Sequence, residues 1–135
     1  MKVVLDTNVF ISGIFFRGPP GRILDGWGDG HITLVVTPSI LSEYQRVGED
    51  LSSRYLGVEL APFLALLATH SEVVEDSDVA DGATSDPDDD KFLACAKTAA
   101  VRVVVSGDRD LLSASGWESI DVLRPRQFVE RFLHE

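Results

Sequence analysis

Apolar residues follow two rhythms along the chain. Short, unbroken runs rich in valine alternate with longer stretches in which apolar positions recur three or four residues apart. The runs at residues 3–5, 32–36, 103–105 and 120–123 read as strands buried on both faces, the pattern of a parallel sheet. The longer stretches predict helices over residues 8–14, 20–27, 38 to about 55, 58–69 and 87 to about 100. A last helix starts at Pro125, with Phe128, Val129 and Phe132 on one face. Residues 17–21 and the glycines at 26, 28 and 30 are turn markers. Residues 72–75 read as a short strand or an extended connection, residues 76–84 as an acidic, solvated loop, and residues 109–112 as a turn or short helix. Strands alternating with helices predict a three-layer α/β/α sandwich around a mainly parallel sheet with right-handed crossovers.

Local chemistry marks the helix starts. Thr7 or Asn8 can cap the first helix, and Thr37 caps a helix with Pro38 in its first position. Asp86 is a natural N-cap, Pro87 the first helical residue, and Asp89 the third, where an acid favours the helix dipole. Capping accounts for some of the acids in Asp86–Pro87–Asp88–Asp89–Asp90, but not all of them.

The 135 residues, 44% of them hydrophobic, suffice for one domain spanning 1–135 with its own core. Cys95 is the sole cysteine and lies on an apolar helical face, so a buried thiol in a reducing cytoplasm is expected. The apolar N-terminal stretch is interrupted by Asp6 and Asn8 and lacks a small-residue cleavage site, unlike a signal peptide. No run reaches the length of a membrane span, so a soluble protein is expected. The net charge of −10 argues against a module that holds nucleic acid by bulk electrostatics. It leaves room for an enzyme acting on phosphodiesters, because acids gathered in one pocket are offset by divalent cations.

Four acids stand where an α/β sheet collects ligands. Asp6 ends the first strand and Asp108 follows the 103–105 strand through Ser106 and Gly107; ligands gather outside such carboxyl ends. Glu43 lies beside the apolar stripe Ile40, Tyr44, Val47, Leu51, where an inward carboxylate needs a cation or an arginine, while an acid at the stripe's edge would reach solvent. Asp89 shares a helical face with Leu93 and Ala96, whereas Asp88 and Asp90 are rotated to either side. Two like charges 4 Å apart cost about 4 kcal/mol at an effective dielectric of 20. Converging carboxylates would therefore protonate unless metal neutralised them. Oxygen donors with no histidine or cysteine nearby select Mg²⁺ or Mn²⁺, whose chemistry here is phosphoryl transfer or hydrolysis. Arg17, Lys91 and Arg109 flank the acid-bearing turns as candidate phosphate contacts.

The segments Leu5-Asp6-Thr7-Asn8-Val9, Asp86-Pro87-Asp88-Asp89, Phe92-Leu93-Ala94-Cys95-Ala96 and Ser106-Gly107-Asp108-Arg109-Asp110-Leu111-Leu112, with the helical Glu43, together resemble the PIN domain, especially its VapC-type toxin branch. The resemblance implies a Mg²⁺- or Mn²⁺-dependent ribonuclease that leaves a 5′-phosphate and a 3′-hydroxyl. It also implies a homodimer and a cognate antitoxin. The family's acidic quartet maps onto Asp6, Glu43, Asp89 and Asp108, with Asn8, Ser106 and Asp110 in support and Asp88 as the alternative third acid. Two other readings stand beside it. A haloacid-dehalogenase-like phosphatase also ends its first strand in Asp but needs a second Asp where this chain has Asn8. A non-catalytic domain of the same fold would bind a protein partner through Phe15, Phe16 and Trp27.

Overall fold

The computed structural model describes residues 1–133. Five strands, β1 (Lys2–Leu5), β2 (Thr33–Val36), β3 (Ser71–Val73), β4 (Val103–Val105) and β5 (Asp121–Leu123), form one sheet in the order β3-β2-β1-β4-β5. Every pairing is parallel. The helices are α1 (Thr7–Phe15), α2 (Gly18–Gly28), α3 (Pro38–Ser52), α4 (Ala61–His70), α5 (Asp90–Thr98), α6 (Arg109–Ser113) and α7 (Pro125–Phe132). The expected α/β sandwich with a parallel sheet is therefore the observed architecture.

The strand order places the site. From β1 the chain crosses to β2 and β3 on one side, and β4 and β5 are added on the other. The crevice outside the carboxyl ends of β1 and β4 is thus the point where the winding reverses, the place where open parallel sheets bind ligands. Val4 lies opposite Val104 and Leu5 opposite Val105, and the Asp6 N–H continues the ladder to the Val105 carbonyl at 2.9 Å. That register sets Asp6 and Ser106 side by side.

The central strands are apolar because both faces are covered: Val3, Val4, Leu5, Val104 and Val105 have no exposed surface. Helix α1 packs on α2 and α3, and α5 lies against β1, β2 and β4. Phe10 of α1 stacks on Tyr44 of α3 with centroids 4.3 Å apart and meets Trp27 of α2 edge-on at 6.1 Å. Burying each such ring contributes roughly 1.5–3 kcal/mol. The polar tips are satisfied: the Tyr44 hydroxyl donates to the Leu5 carbonyl and Trp27 Nε1 to the His70 carbonyl at 2.9 Å. Gly13 permits the close approach of α1 and α2, since a Cβ there would sit 2.6 Å from the Leu24 side chain and 2.8 Å from the Pro20 carbonyl.

Several local expectations are corrected. Helix α1 starts at Thr7 with Asp6 in the cap position, and neither Thr7 nor Asn8 caps it. Both neighbouring side chains are used elsewhere, Asp6 with Ser106 and Thr7 with Glu43. The helix expected from Pro87 is a 3₁₀ turn, Pro87–Asp89, followed by α5, and Asp86 caps that turn through a bond from the Asp88 N–H at 3.0 Å. The segment 76–84 is the expected loop, mostly exposed, and is tied down at several points. Asp76 accepts from the Ser39 N–H and hydroxyl, Ala80 is buried, and Asp90 holds Gly82 and Thr84. The aromatic patch offered to a partner dissolves, because Trp27 and Phe15 are core residues and only Phe16, 56% exposed, reaches solvent. Cys95 is buried as expected, and burial, with the charges of Asp76 and Glu72, pushes its thiol up to about 12. Among the described residues no helix is long and apolar enough to cross a membrane.

Candidate metal centre and active site

Asp6 leaves β1 almost fully buried. The Ser106 hydroxyl donates to its Oδ2 at 2.7 Å and in turn accepts the Asp108 N–H at 2.9 Å. One buried hydroxyl thus locks the carboxylate of β1 to the turn after β4. Asp108 caps α6, its Oδ1 accepting from the Asp110 N–H at 2.8 Å and the Leu111 N–H at 3.4 Å. A cap of this kind fixes a side chain that would otherwise turn freely.

The run after Pro87 divides its labour. Asp88 has an exposed side chain and contributes through its backbone, its N–H to Asp86 at 3.0 Å and its carbonyl to Lys91 Nζ at 2.8 Å. Asp89 is buried, with a carboxylate oxygen within 4.8 Å of those of Asp86 and Asp110, and it feels the charges of Asp108 and Asp6. Asp90 is buried in the opposite sense, accepting from Gly82 and Thr84.

Glu43 reaches the cluster from α3 with both oxygens engaged. Thr7 donates its hydroxyl to Oε2, and Lys91 Nζ lies 3.0 Å from Oε1. Arg46, one helical turn on and exposed, stands 3.8 Å away. The inward acid on the α3 stripe has thus met its cation, and it is Lys91. This turns Lys91, a candidate phosphate contact, in toward the acids, with its side chain only 22% exposed.

Burial raises the Asp6 carboxyl, opposed by the Ser106 hydroxyl and reinforced by Asp108; the Asn8 backbone N–H lowers it and Glu43 raises it. Asp89 is driven further, to about 7, first by burial and then by the charges of Asp108, Asp6, Asp86 and Asp110. Its Oδ2 is buried with no hydrogen-bond partner. A buried oxygen of this kind costs free energy that a proton or a cation would recover. The donor set is wholly oxygen, the chemistry of hard divalent ions, so the residues fit such an ion.

Other sequence candidates are distributed as follows. Ser106 links Asp6 to the Asp108 N–H. Asn8 is exposed and acts on Asp6 through its backbone. Arg109 is exposed at the start of α6, beside Asp108. Arg17 is not brought to the acids. It follows the far end of α1, whose nine residues span about 13 Å, and it is bonded to Asp25 at 2.7 Å and to the Gly13 carbonyl at 3.2 Å. Two partners escaped sequence reasoning. The Thr7 hydroxyl carried no spacing signal. Asp86 reads in the sequence as a cap, yet oxygens of Asp86, Asp89 and Asp110 lie within 4.8 Å of one another.

Residues 2–110 match the family described as PIN domain, a stretch that contains every acid of this cluster. The chain is also 33% identical to uncharacterized protein MJ1680 of Methanocaldococcus jannaschii over 144 aligned positions, covering 98% of this chain and 92% of that protein. With its all-parallel sheet and its acids at the winding reversal, this chain belongs to the PIN domain family, generally a fold of metal-dependent nucleases.

Proposed function

We propose that this chain is a Mg²⁺- or Mn²⁺-dependent endoribonuclease hydrolysing RNA phosphodiester bonds in the cytoplasm. The observation that carries the reading is the partnerless Asp89 oxygen set among acids supplied by separate elements. Asp6, Asp89 and Asp108 would hold the ion, and Glu43 completes the acidic set from α3. When bound, such an ion lowers the pKa of coordinated water and offsets charge developing on the leaving oxygen.

The chain's own residues prepare the site. Ser106 holds Asp6 in one orientation and fixes the spacing to Asp108. Lys91 and Thr7 hold the two oxygens of Glu43 in place at the wall. Arg109, exposed at the start of α6 beside Asp108, would meet a phosphate of the RNA strand, which an acidic chain must capture by a local contact rather than by its overall field. In the cell the reading extends to the toxin of a toxin–antitoxin pair, acting as a homodimer. It predicts a small neighbouring gene product that copurifies with this chain and stops its cleavage.

The test is cleavage of a mixed single-stranded RNA by purified protein with Mn²⁺, with EDTA, and with the Asp6→Asn variant. Cutting should require the metal and vanish in the variant. Metal-independent cutting, or full activity in Asp6→Asn, would remove this site from the reaction.

A further inference from the structure

We infer that Lys91 is the site's built-in second cation: its ammonium holds the place against Glu43 that a second metal ion would otherwise take, so the chain uses a single divalent ion. The inference rests on the nuclease reading above. Two-ion phosphodiester sites clamp the attacking and leaving oxygens between their metals, and each ion needs acids of its own. Here one acid of the set is already matched by a charge that the chain carries itself. Asp6, Asp89 and Asp108 remain for the metal.

Lys91 is fixed from several sides. Its Nζ lies 3.0 Å from Glu43 Oε1 and 2.8 Å from the Asp88 carbonyl, and it stands over the Phe92 ring, 5.0 Å from the centroid. Thr7 takes the other Glu43 oxygen. Neither bond of the ammonium goes to Asp89, two residues before it, whose Oδ2 has no partner among the described residues. The lysine thus neutralises Glu43 and leaves Asp89 to the metal. With Nζ 3.0 Å from Oε1, an ion bound about 2.1 Å from that oxygen could stand no farther than about 5 Å from the ammonium. The two side chains are only 22% and 23% exposed, so little water screens the repulsion between them and such an ion's double charge falls on Lys91 directly. Arg46, 3.8 Å from the same oxygen but 73% exposed, is too open to water to serve in its place. A lysine ammonium is a compact point charge, and its third N–H is left for a phosphate oxygen.

The test counts bound Mn²⁺ by calorimetry, with the free ion followed by electron paramagnetic resonance, in the native chain, Lys91→Gln, the double variant Lys91→Gln/Glu43→Gln and Asp6→Asn. Circular dichroism checks each fold. The native chain should bind one ion, which Asp6→Asn loses. Lys91→Gln should bind two, because Glu43 is then an unpaired acid open to metal. The double variant removes both charges of the pair and should return to one ion. Two ions on the native chain, or one on a folded Lys91→Gln, overturn the role of Lys91, and an ion lost in Asp6→Asn still leaves the nuclease reading standing. If Lys91→Gln does not fold, the double variant decides, since loss of its ion would make Glu43 a ligand and overturn the proposal. Failure of the native chain to bind Mn²⁺ overturns both readings.

Discussion

Asp89 and Asp90 are neighbours with the same side chain and nearly the same exposure, 9% and 7%, yet the fold drives them in opposite directions. Burial alone would raise Asp90, but the Thr84 hydroxyl at 2.7 Å and the N–H groups of Gly82 and Thr84 at 2.9 Å hold its carboxyl below the usual range. Asp89 is raised to about 7 by burial and by four neighbouring acids, with no donor on Oδ2. Burial therefore does not decide what a carboxylate becomes. The groups facing it do, and here they make one aspartate a stitch for the 76–84 loop and leave its neighbour waiting for a positive charge.

The largest expected effect breaks the Asp89 side of this contrast. Asp89→Asn should lower RNA cleavage on the order of a hundredfold or more, measured at saturating Mn²⁺, while leaving the metal-free fold intact. The same variant should flatten a pH slope. Because the folded-state pKa lies above the ordinary 3.8, the folded chain binds more protons than the unfolded one between about pH 4 and about 7. The stability of the metal-free protein should therefore fall as pH rises through that window. Each pKa unit corresponds to about 1.4 kcal/mol, and urea titrations at a series of pH values measure the slope. Mn²⁺ should recover the lost stability at neutral pH and give little at pH 5, where the proton already occupies the site. Equal stabilisation at both values would contradict the exchange of proton for cation.

Asp90→Ala comes next, with a loss of roughly 3 kcal/mol in a urea titration, since it strands two backbone N–H groups that now have a charged acceptor and leaves the Thr84 hydroxyl only the Asp86 carbonyl. Its pH dependence runs the other way. A depressed pKa gives stability that is present above the ordinary 3.8 and is lost as pH falls through the lower folded value. Thr84→Val should cost about 1 to 2 kcal/mol, since it removes the hydroxyl's contact with the same carboxylate and its contacts with the Asp86 carbonyl and N–H. Were Asp90→Ala no more damaging than Thr84→Val, the loop would owe its position to other contacts, and the contrast with Asp89 would lose its structural half.

The sequence was most legible where a single element carries its own signal. Valine runs bounded by turn residues identified β1, β2, β4 and β5, and Pro38 and Pro125 marked their helices, because strand burial and helix starts are local consequences of residue type. Asp6, Asp108 and Ser106 could be named because they sit at strand ends, whose geometry follows from the sheet. Errors clustered where one side chain had a choice of partners. Thr7 reads as a cap until Glu43 of α3 takes its hydroxyl. Asp86 reads as a cap and is also one of three facing acids. Trp27 and Phe15 admit both a core and a partner-binding reading in the sequence, because a loop-flanked aromatic looks the same whether it packs on a neighbouring helix or faces water, and the fold makes both of them core. Arg17 lies close in sequence to the first acid-bearing turn, yet a helix carries it away from that turn.

By itself, then, the sequence determined the alternation of strands and helices, the parallel sheet and the strand ends at which acids would collect, since period, propensity and capping act over a few residues. Only the tertiary structure decided which of Asp88, Asp89 and Asp90 faces the acids, which meets water and which stitches a loop. It also decided that Lys91 turns inward to Glu43. Those outcomes depend on groups on other elements, Asp108 and Asp6 for Asp89, Gly82 and Thr84 for Asp90 and Glu43 for Lys91, and the charge state of a buried carboxylate is set by whatever the fold places against it.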